Sequence, residues 1–216
     1  MTTHWRRPIL LLAAAVLSVA VAISLPAVRT PILRTAGWAL VLDEPMESVD
    51  AVVVVVSGDR ATLIEAADLI HDGISTRVAV LADPHNDADR ELTRRGVPFE
   101  DLTEASIRLL GALGVSDVER IPKTVAGTEE IGRVLPKWCD RRGYRSIAFV
   151  SPPDHSRRTR RMLDRSMKGR PTKVRIRAAR HSTFDPDRWW HSRDGMRTGI
   201  VELEKLLLDF VSHPIS

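Results

Sequence analysis

The chain is short of the residues that would cross-link it or crowd its core with rings. Among its 216 residues there is one cysteine, Cys139, one tyrosine, Tyr144, and an aromatic fraction of 5%. A lone cysteine excludes an intrachain disulfide, which fits a reducing compartment or an exported domain that does without such bonds. Cys139 stands inside the helical pattern KWCDRRGY, a poor setting for a catalytic thiol. With so few rings, aliphatic side chains must build the core. No internal repeat or low-complexity tract occurs, and no G-x-S-x-G elbow is present to position a hydrolase serine. Acid is missing from one stretch: from Arg157 to Arg180, eleven Lys or Arg face the single acid Asp164. Stacking aromatics are missing from it too, which argues against nucleic acid as a partner. Its plain reading is a solvated basic helix and edge strand, and its functional reading is a face toward anionic lipid. Charged and apolar fractions of 28% and 44% are those of a globular chain.

What is present begins with an apolar run. Behind Arg6 and Arg7, the segment from Ile9 to Val28 carries no charge. Its 20 residues, at about 1.5 Å each, reach across a hydrocarbon core. The run is apolar all round rather than along one stripe, and it exceeds the usual apolar region of a signal peptide. Residues 1–28 are therefore read as an uncleaved signal anchor, with cleavage near Ala20 and Ala22 as the alternative. Arg6 and Arg7 favour a cytoplasmic N-terminus. The expectation is a single-pass membrane protein, its domain on the extracytoplasmic side and membrane lipid the partner of residues 9–28. Residues 29–47, with Pro31 and Pro45, read as a membrane-proximal linker, and residues 48–216 as one α/β domain.

That domain is organised around the valines of Ala51 to Val56, followed by Ser57 and Gly58. β-branched residues in an unbroken apolar run indicate a strand buried on both faces of a parallel sheet. A helix from Arg60 to His71 follows, with Leu63, Ile64, Ala67 and Ile70 on one face. Thr76 to Leu81 reads as the second strand and ADPHNDADRE as its exit loop. A helix then spans about Thr103 to Leu113, and Val118 to Ile121 forms a short third strand. Pro136 predicts a kink or irregular turn in the helical stretch Thr124 to Trp138. Ser146 to Val150 is a buried strand, helix resumes from Ser156, and Lys173 to Arg177 alternates as an edge strand should. The final helix carries Met196, Ile200, Leu203, Leu207 and Phe210 on one side. The pattern predicts a three-layer α/β/α, Rossmann-like parallel sheet preceded by an N-terminal transmembrane helix.

In such a sheet, loops at the carboxyl ends of the strands converge on one crevice. Three of them carry polar residues: Ser57-Gly58-Asp59-Arg60, Gly127-Thr128-Glu129-Glu130, and Ser151 to Arg158. His155 and Arg158 fall within the first turns of a helix, beside backbone N–H groups, and so suit a phosphate or carboxylate. The bland alternative is a capping histidine and a solvated arginine. Asp83, Asp87 and Asp89 could draw a cation but are ordinary turn and cap formers, and no residues are assigned to a metal. A Ser-His-Glu hydrolase from Ser57 or Ser151, His155 and Glu130 is a weaker option without the elbow.

These residues, in this order, resemble the YdcF/SanA/ElyC-like family of bacterial envelope proteins. The resemblance rests on WALVLDEPMESVDAVVVVVSG, on Thr128-Glu129-Glu130, on Val150-Ser151 through His155 to Arg158, and on Trp189-Trp190 with Glu202 and Lys205. It covers about Leu40 to the C-terminus. The chain departs from the family where glycines are usual: only Gly58 stands in the first turn, and Ala82-Asp83-Pro84 ends the second strand. Thr62 and Ile131 replace the usual arginine and asparagine, and Asp154 an aromatic. The resemblance implies a membrane-anchored protein of envelope biogenesis that binds a phosphate-bearing or lipid-linked precursor. On that reading Ser57, Gly58, Thr128, Ser151, His155 and Arg158 contact the anion, while Glu130 and His155 are the candidate catalytic pair. The alternatives are a non-catalytic scaffold with a degenerate pocket and a nucleotide- or S-adenosylmethionine-type binder. Enzyme activity and cofactor are both left open.

Overall fold

The computed structural model describes residues 11, 24–56, 60–82, 84–98, 101–124 and 127–214. In chain order they form α1 (Pro26–Trp38), β1 (Ala51–Val55), α2 (Ala61–His71), β2 (Val78–Ala82), α3 (Asp87–Arg94) and α4 (Leu102–Ala112). Then come β3 (Val118–Thr124), α5 (Thr128–Arg142), β4 (Ser146–Ser151), α6 (Pro153–Ser166), β5 (Lys173–Ala178), a single 3₁₀ turn (Trp189–His191) and α7 (Arg193–Ser212).

The valine strand is central because it is buried on both faces and paired on both edges. β1 runs parallel to β2 and β4, with Val53 opposite Ala79 on one side and Phe149 on the other. The sheet is parallel throughout, in the order β3-β2-β1-β4-β5, so Lys173 to Arg177 lies on an edge as its alternation predicts. Alternate side chains of β1 feed two cores. Ala51 and Val53 meet Leu135, Trp138 and Leu163 of α5 and α6, whereas Val52 and Val54 meet Leu63, Ala66 and Leu110 of α2 and α4. Helices cover both faces, which gives the three-layer α/β arrangement.

Local expectations needed correction. ADPHNDADRE is not only a loop: it contains α3, closed at its start by a capping box in which Asn86 accepts from Asp89 N–H and Asp89 accepts from Asn86 N–H. Of the acids there, Asp89 is part of the cap and Asp87 pairs with Arg90 at 2.5 Å. No irregular turn interrupts the chain at Pro136, which lies inside α5, while Leu135, Trp138 and Cys139 are held in the core. β3 is longer than expected, because an irregularity in its pairing between Val80 and Ala82 lets the ladder resume at Thr124. On α7 the buried positions are Gly199, Glu202 and Leu206, while Met196, Ile200, Leu207 and Phe210 remain exposed.

Residues 29–47 are not a free linker. Proline is tolerated in the first turn of a helix, and α1 opens at Pro26. Its Leu33 and Ala36 pack with Leu40, Phe184, Trp189 and Leu206 in a third core cluster. Arg157 then clamps the chain beyond α1, donating to the Ala39 and Val41 carbonyls at 2.6 and 2.8 Å. Further on, Glu44 N–H donates to Ile176 O, and the Glu44 carboxylate accepts from Ile176 N–H at 2.6 Å, so the outer edge of β5 is covered. Among the described residues no helix is long and apolar enough to cross a membrane. The run expected to do so lies outside them, apart from Leu11 and residues 24–28.

Trp189 is the wedge that joins α1 to α7. Its indole N–H donates to Leu33 O at 2.8 Å, and glycines make room for the ring on both sides. A Cβ at Gly37 would stand 2.7 Å from Trp189 Cδ1, and one at Gly199 would stand 2.4 Å from Trp189 Cε3. In an open helix, alanine is preferred to glycine by up to about 1 kcal/mol. Here the methyl meets a buried ring with nowhere to move, and such overpacking costs about 1–3 kcal/mol. Gly199→Ala should therefore lower the urea unfolding midpoint; a midpoint at or above wild type would refute the wedge.

Candidate functional site

Strand order reverses between β1 and β4, so the loops leaving these two strands part and leave a crevice at the carboxyl edge. A cavity of about 690 Å³ opens there. Val55 and Ser151 reach it from the strand ends, Thr62 from α2, Thr128 from the start of α5, and His155 and Arg158 from α6. Lys205 and Asp209 close it from α7.

The polar end is built around Glu202, which is 3% exposed. Arg158 donates to Glu202 Oε2 from Nε at 3.0 Å and from Nη2 at 2.9 Å, and its Nη1 donates to Thr128 Oγ1 at 2.7 Å. Lys205 Nζ donates to Glu202 Oε1 at 2.7 Å. His155 Nε2 lies 3.3 Å from the same oxygen and 3.2 Å from Asp154 Oδ2. Burial alone would raise the Glu202 carboxyl. The hydrogen bond and charge of His155, the Lys205 ammonium and the Arg158 guanidinium outweigh it and bring the pKa to about 2.

Beside this cluster, α5 begins at the cavity. Its N-cap is Gly127, at φ 84, which glycine adopts without strain and which leaves no capping side chain. The positive end of the helix dipole thus faces the cavity, partly offset by Glu129 on the lining. At the other end Arg165 donates to Asp209 Oδ1 at 2.7 Å, near His213. Val55, Ile131, Phe149, Met162 and Leu208 supply apolar wall.

The structure places Thr128, Ser151, His155 and Arg158 on the lining of one cavity. Ser57 and Gly58 lie outside the described residues, as does Asp83. Glu130 is not among the lining residues; its neighbour Glu129 is. Ser151 is buried and its hydroxyl donates to Pro152 O at 3.1 Å, so it is not aimed at His155, and no Ser-His-Glu triad forms from it. Among the described residues no His, Cys, Asp and Glu group could hold a metal ion. The organising role of Glu202 was not read from the sequence, nor were Asp209 and Arg165. A signal existed: an acid at position 202, in register with Gly199 and Leu206 on the packed side of α7, must be paired.

The basic stretch is consumed internally. Besides Arg158, Arg160 meets Asp164 and Glu44, Arg161 and Arg165 meet Asp209, and Arg170 meets Asp140. Arg175 meets Glu47, while Arg177 and Arg180 share Glu65. With Arg157 on backbone carbonyls, every arginine from 157 to 180 is engaged.

Comparison with known proteins finds no matching family model and no matching curated protein. Among solved structures, the Aureusimine biosynthetic cluster reductase domain aligns with 57% of this chain and 40% of its own, at 13% identity and a TM-score of 0.23. A likeness so slight bears on neither fold nor function.

Acid should expose the role of Glu202. A carboxyl displaced from 4.5 to about 2 on folding contributes on the order of 3 kcal/mol above pH 4.5, lost as pH falls toward 2. Glu202→Gln should remove that part of the acid slope when unfolding free energies are compared from pH 6 to 2. Parallel curves for the two proteins would refute the assignment.

Proposed function

We propose that the cavity binds a phosphate-bearing ligand, and that the chain presents it from a membrane anchor formed by residues 9–28, in a role in envelope biogenesis. The observation that carries the binding reading is the convergence of Arg158, Lys205, His155 and the uncapped start of α5 on one end of a cavity whose walls include Val55, Ile131, Phe149, Met162 and Leu208. Charge-assisted donors and a helix start suit an oxyanion, and apolar walls suit the carrier of that anion. The anchor reading is supported by the charge-free run from Ile9 to Val28 behind Arg6 and Arg7.

One observation favours a second reading, a scaffold with a closed polar pocket. Glu202 already occupies Arg158, Lys205 and His155. Arg158 is held by two bonds to Glu202 and one to Thr128, whereas Lys205 and His155 are more exposed and can turn to a ligand.

Titration of the detergent-solubilised full chain with inorganic pyrophosphate separates the two. A charged hydrogen bond contributes about 1.5–3 kcal/mol, so His155→Ala with Lys205→Ala should weaken binding roughly 10- to 100-fold or more. Equal affinity in wild type and double variant, or no binding by wild type, would leave the scaffold.

A further inference from the structure

We propose that the exposed apolar stripes of α1 and α7 seat the domain on the surface of the bilayer. This rests on the anchor proposed above. Leu25, the residue before α1, and Val28 and Ile32 on it follow at helical spacing and are 51%, 37% and 52% exposed. On α7, Met196, Ile200, Leu207 and Val211 form a second stripe, exposed by 42% to 73%. A folded domain seldom leaves so many large apolar side chains in water along two helices without a partner.

The two stripes belong to one rigid unit. Trp189 is wedged between Gly37 of α1 and Gly199 of α7, and Leu33 and Leu203 pack into the same cluster. Ile32 and Ile200 each follow or precede in the chain a residue of that junction, Leu33 of α1 and Gly199 of α7.

The occupant follows from where the apolar run ends. The charge-free segment from Ile9 closes at Val28, inside the first turn of α1. Leu25 and Val28 are thus the last apolar residues of the run and the first of the stripe. The medium that accepts the run is continuous with the one that meets the stripe, and that medium is lipid. Charge agrees with this. Arg29 follows Val28, and Arg193 and Arg197 stand at the start of α7; all three are exposed, and no acid holds them among the described residues. They are free to meet anionic headgroups, as the arginines from 157 to 180 are not. Glu204, exposed one turn beyond Ile200, sets the depth: the stripe lies in the interface and does not enter the hydrocarbon. Lys205 and Asp209 line the cavity from another side of α7, so the seated stripe would fix the cavity's height above the lipid.

The test uses the full chain in vesicles of phosphatidylcholine and phosphatidylglycerol, with nitroxides at Ile200→Cys or Leu207→Cys and a control at Lys168→Cys. Cys139 is buried and stays unlabelled. Power saturation should show oxygen exceeding nickel chelate as the relaxing agent at Ile200 and Leu207, and the reverse at Lys168. If the protein floats with the vesicles while all three labels are relaxed by nickel, the seating is overturned and the anchor stands. Dipolar broadening between labels at Ile200 would place a second copy on the stripe and overturn it as well. A chain that does not float at all overturns seating and anchor together.

Discussion

Pairing between arginine and carboxylates withdrawn from water holds the second half of this protein in place. Glu65 is fully buried, Glu202 is 3% exposed, and the Asp209 side chain is 11% exposed. A carboxylate in such surroundings costs several kcal/mol unless its oxygens are matched by cations in good geometry. Glu65 receives Arg177 Nε at 2.7 Å and both Nε and backbone N–H of Arg180, at 2.9 and 3.1 Å. Burial would raise its pKa, but the two arginines hold it below the ordinary value. The pair fastens the end of β5 to α2. Asp209 does the same between α7 and α6, and Glu202 between α7, α6 and α5. None of these helices could shift alone without stranding a charge.

That constraint shapes what the cavity can do. Its cations are positioned without a ligand, which spares an incoming anion the cost of ordering them. They are also already neutralised, so the anion must compete with Glu202. Competition favours ligands of high charge over a single carboxylate, because only a multiply charged group recovers what Lys205 and His155 give up. Arg158, held through both Nε and Nη2, would stay as the fixed wall against which they move.

The parts of the fold that were legible in the sequence are those decided by neighbours along the chain. Five valines in a row describe a doubly buried strand wherever they fall, and the alternation in KVRIR describes an edge. The crevice followed from the alternation of strands and helices, and Thr128, Ser151, His155 and Arg158 were chosen for the strand-end loops that face it. What escaped depends on partners far away. The arginines from 157 to 180 read as an open basic face because Asp43, Glu44, Glu47, Glu65 and Asp209 lie elsewhere in the chain. The final helix read as packing its richest apolar stripe inward. Instead, Trp189 requires glycine beneath it, which turns Gly199, with Glu202 and Leu206, to the core and leaves Met196 and Ile200 outside. Pro31 and Pro45 made residues 29–47 look like a linker, although Pro31 lies within α1.

The docking of α1 bears on more than stability. A flexible tether would let the domain sample all orientations above a surface, and the cavity would have no defined position. Here the chain leaves α1 under the Arg157 clamp, passes along β5 with Glu44 bonded to Ile176 on both its backbone and its carboxylate, and enters β1 at the centre of the sheet. Between α1 and β1 the chain is bonded to the domain at Ala39, Val41, Leu42, Glu44, Glu47 and Val49. A direction imposed on α1 is therefore transmitted to the sheet and to the cavity at its carboxyl edge. Trp189, packed against Gly37 and Gly199, adds a second link, tying α1 to α7 independently of the Arg157 and Glu44 contacts.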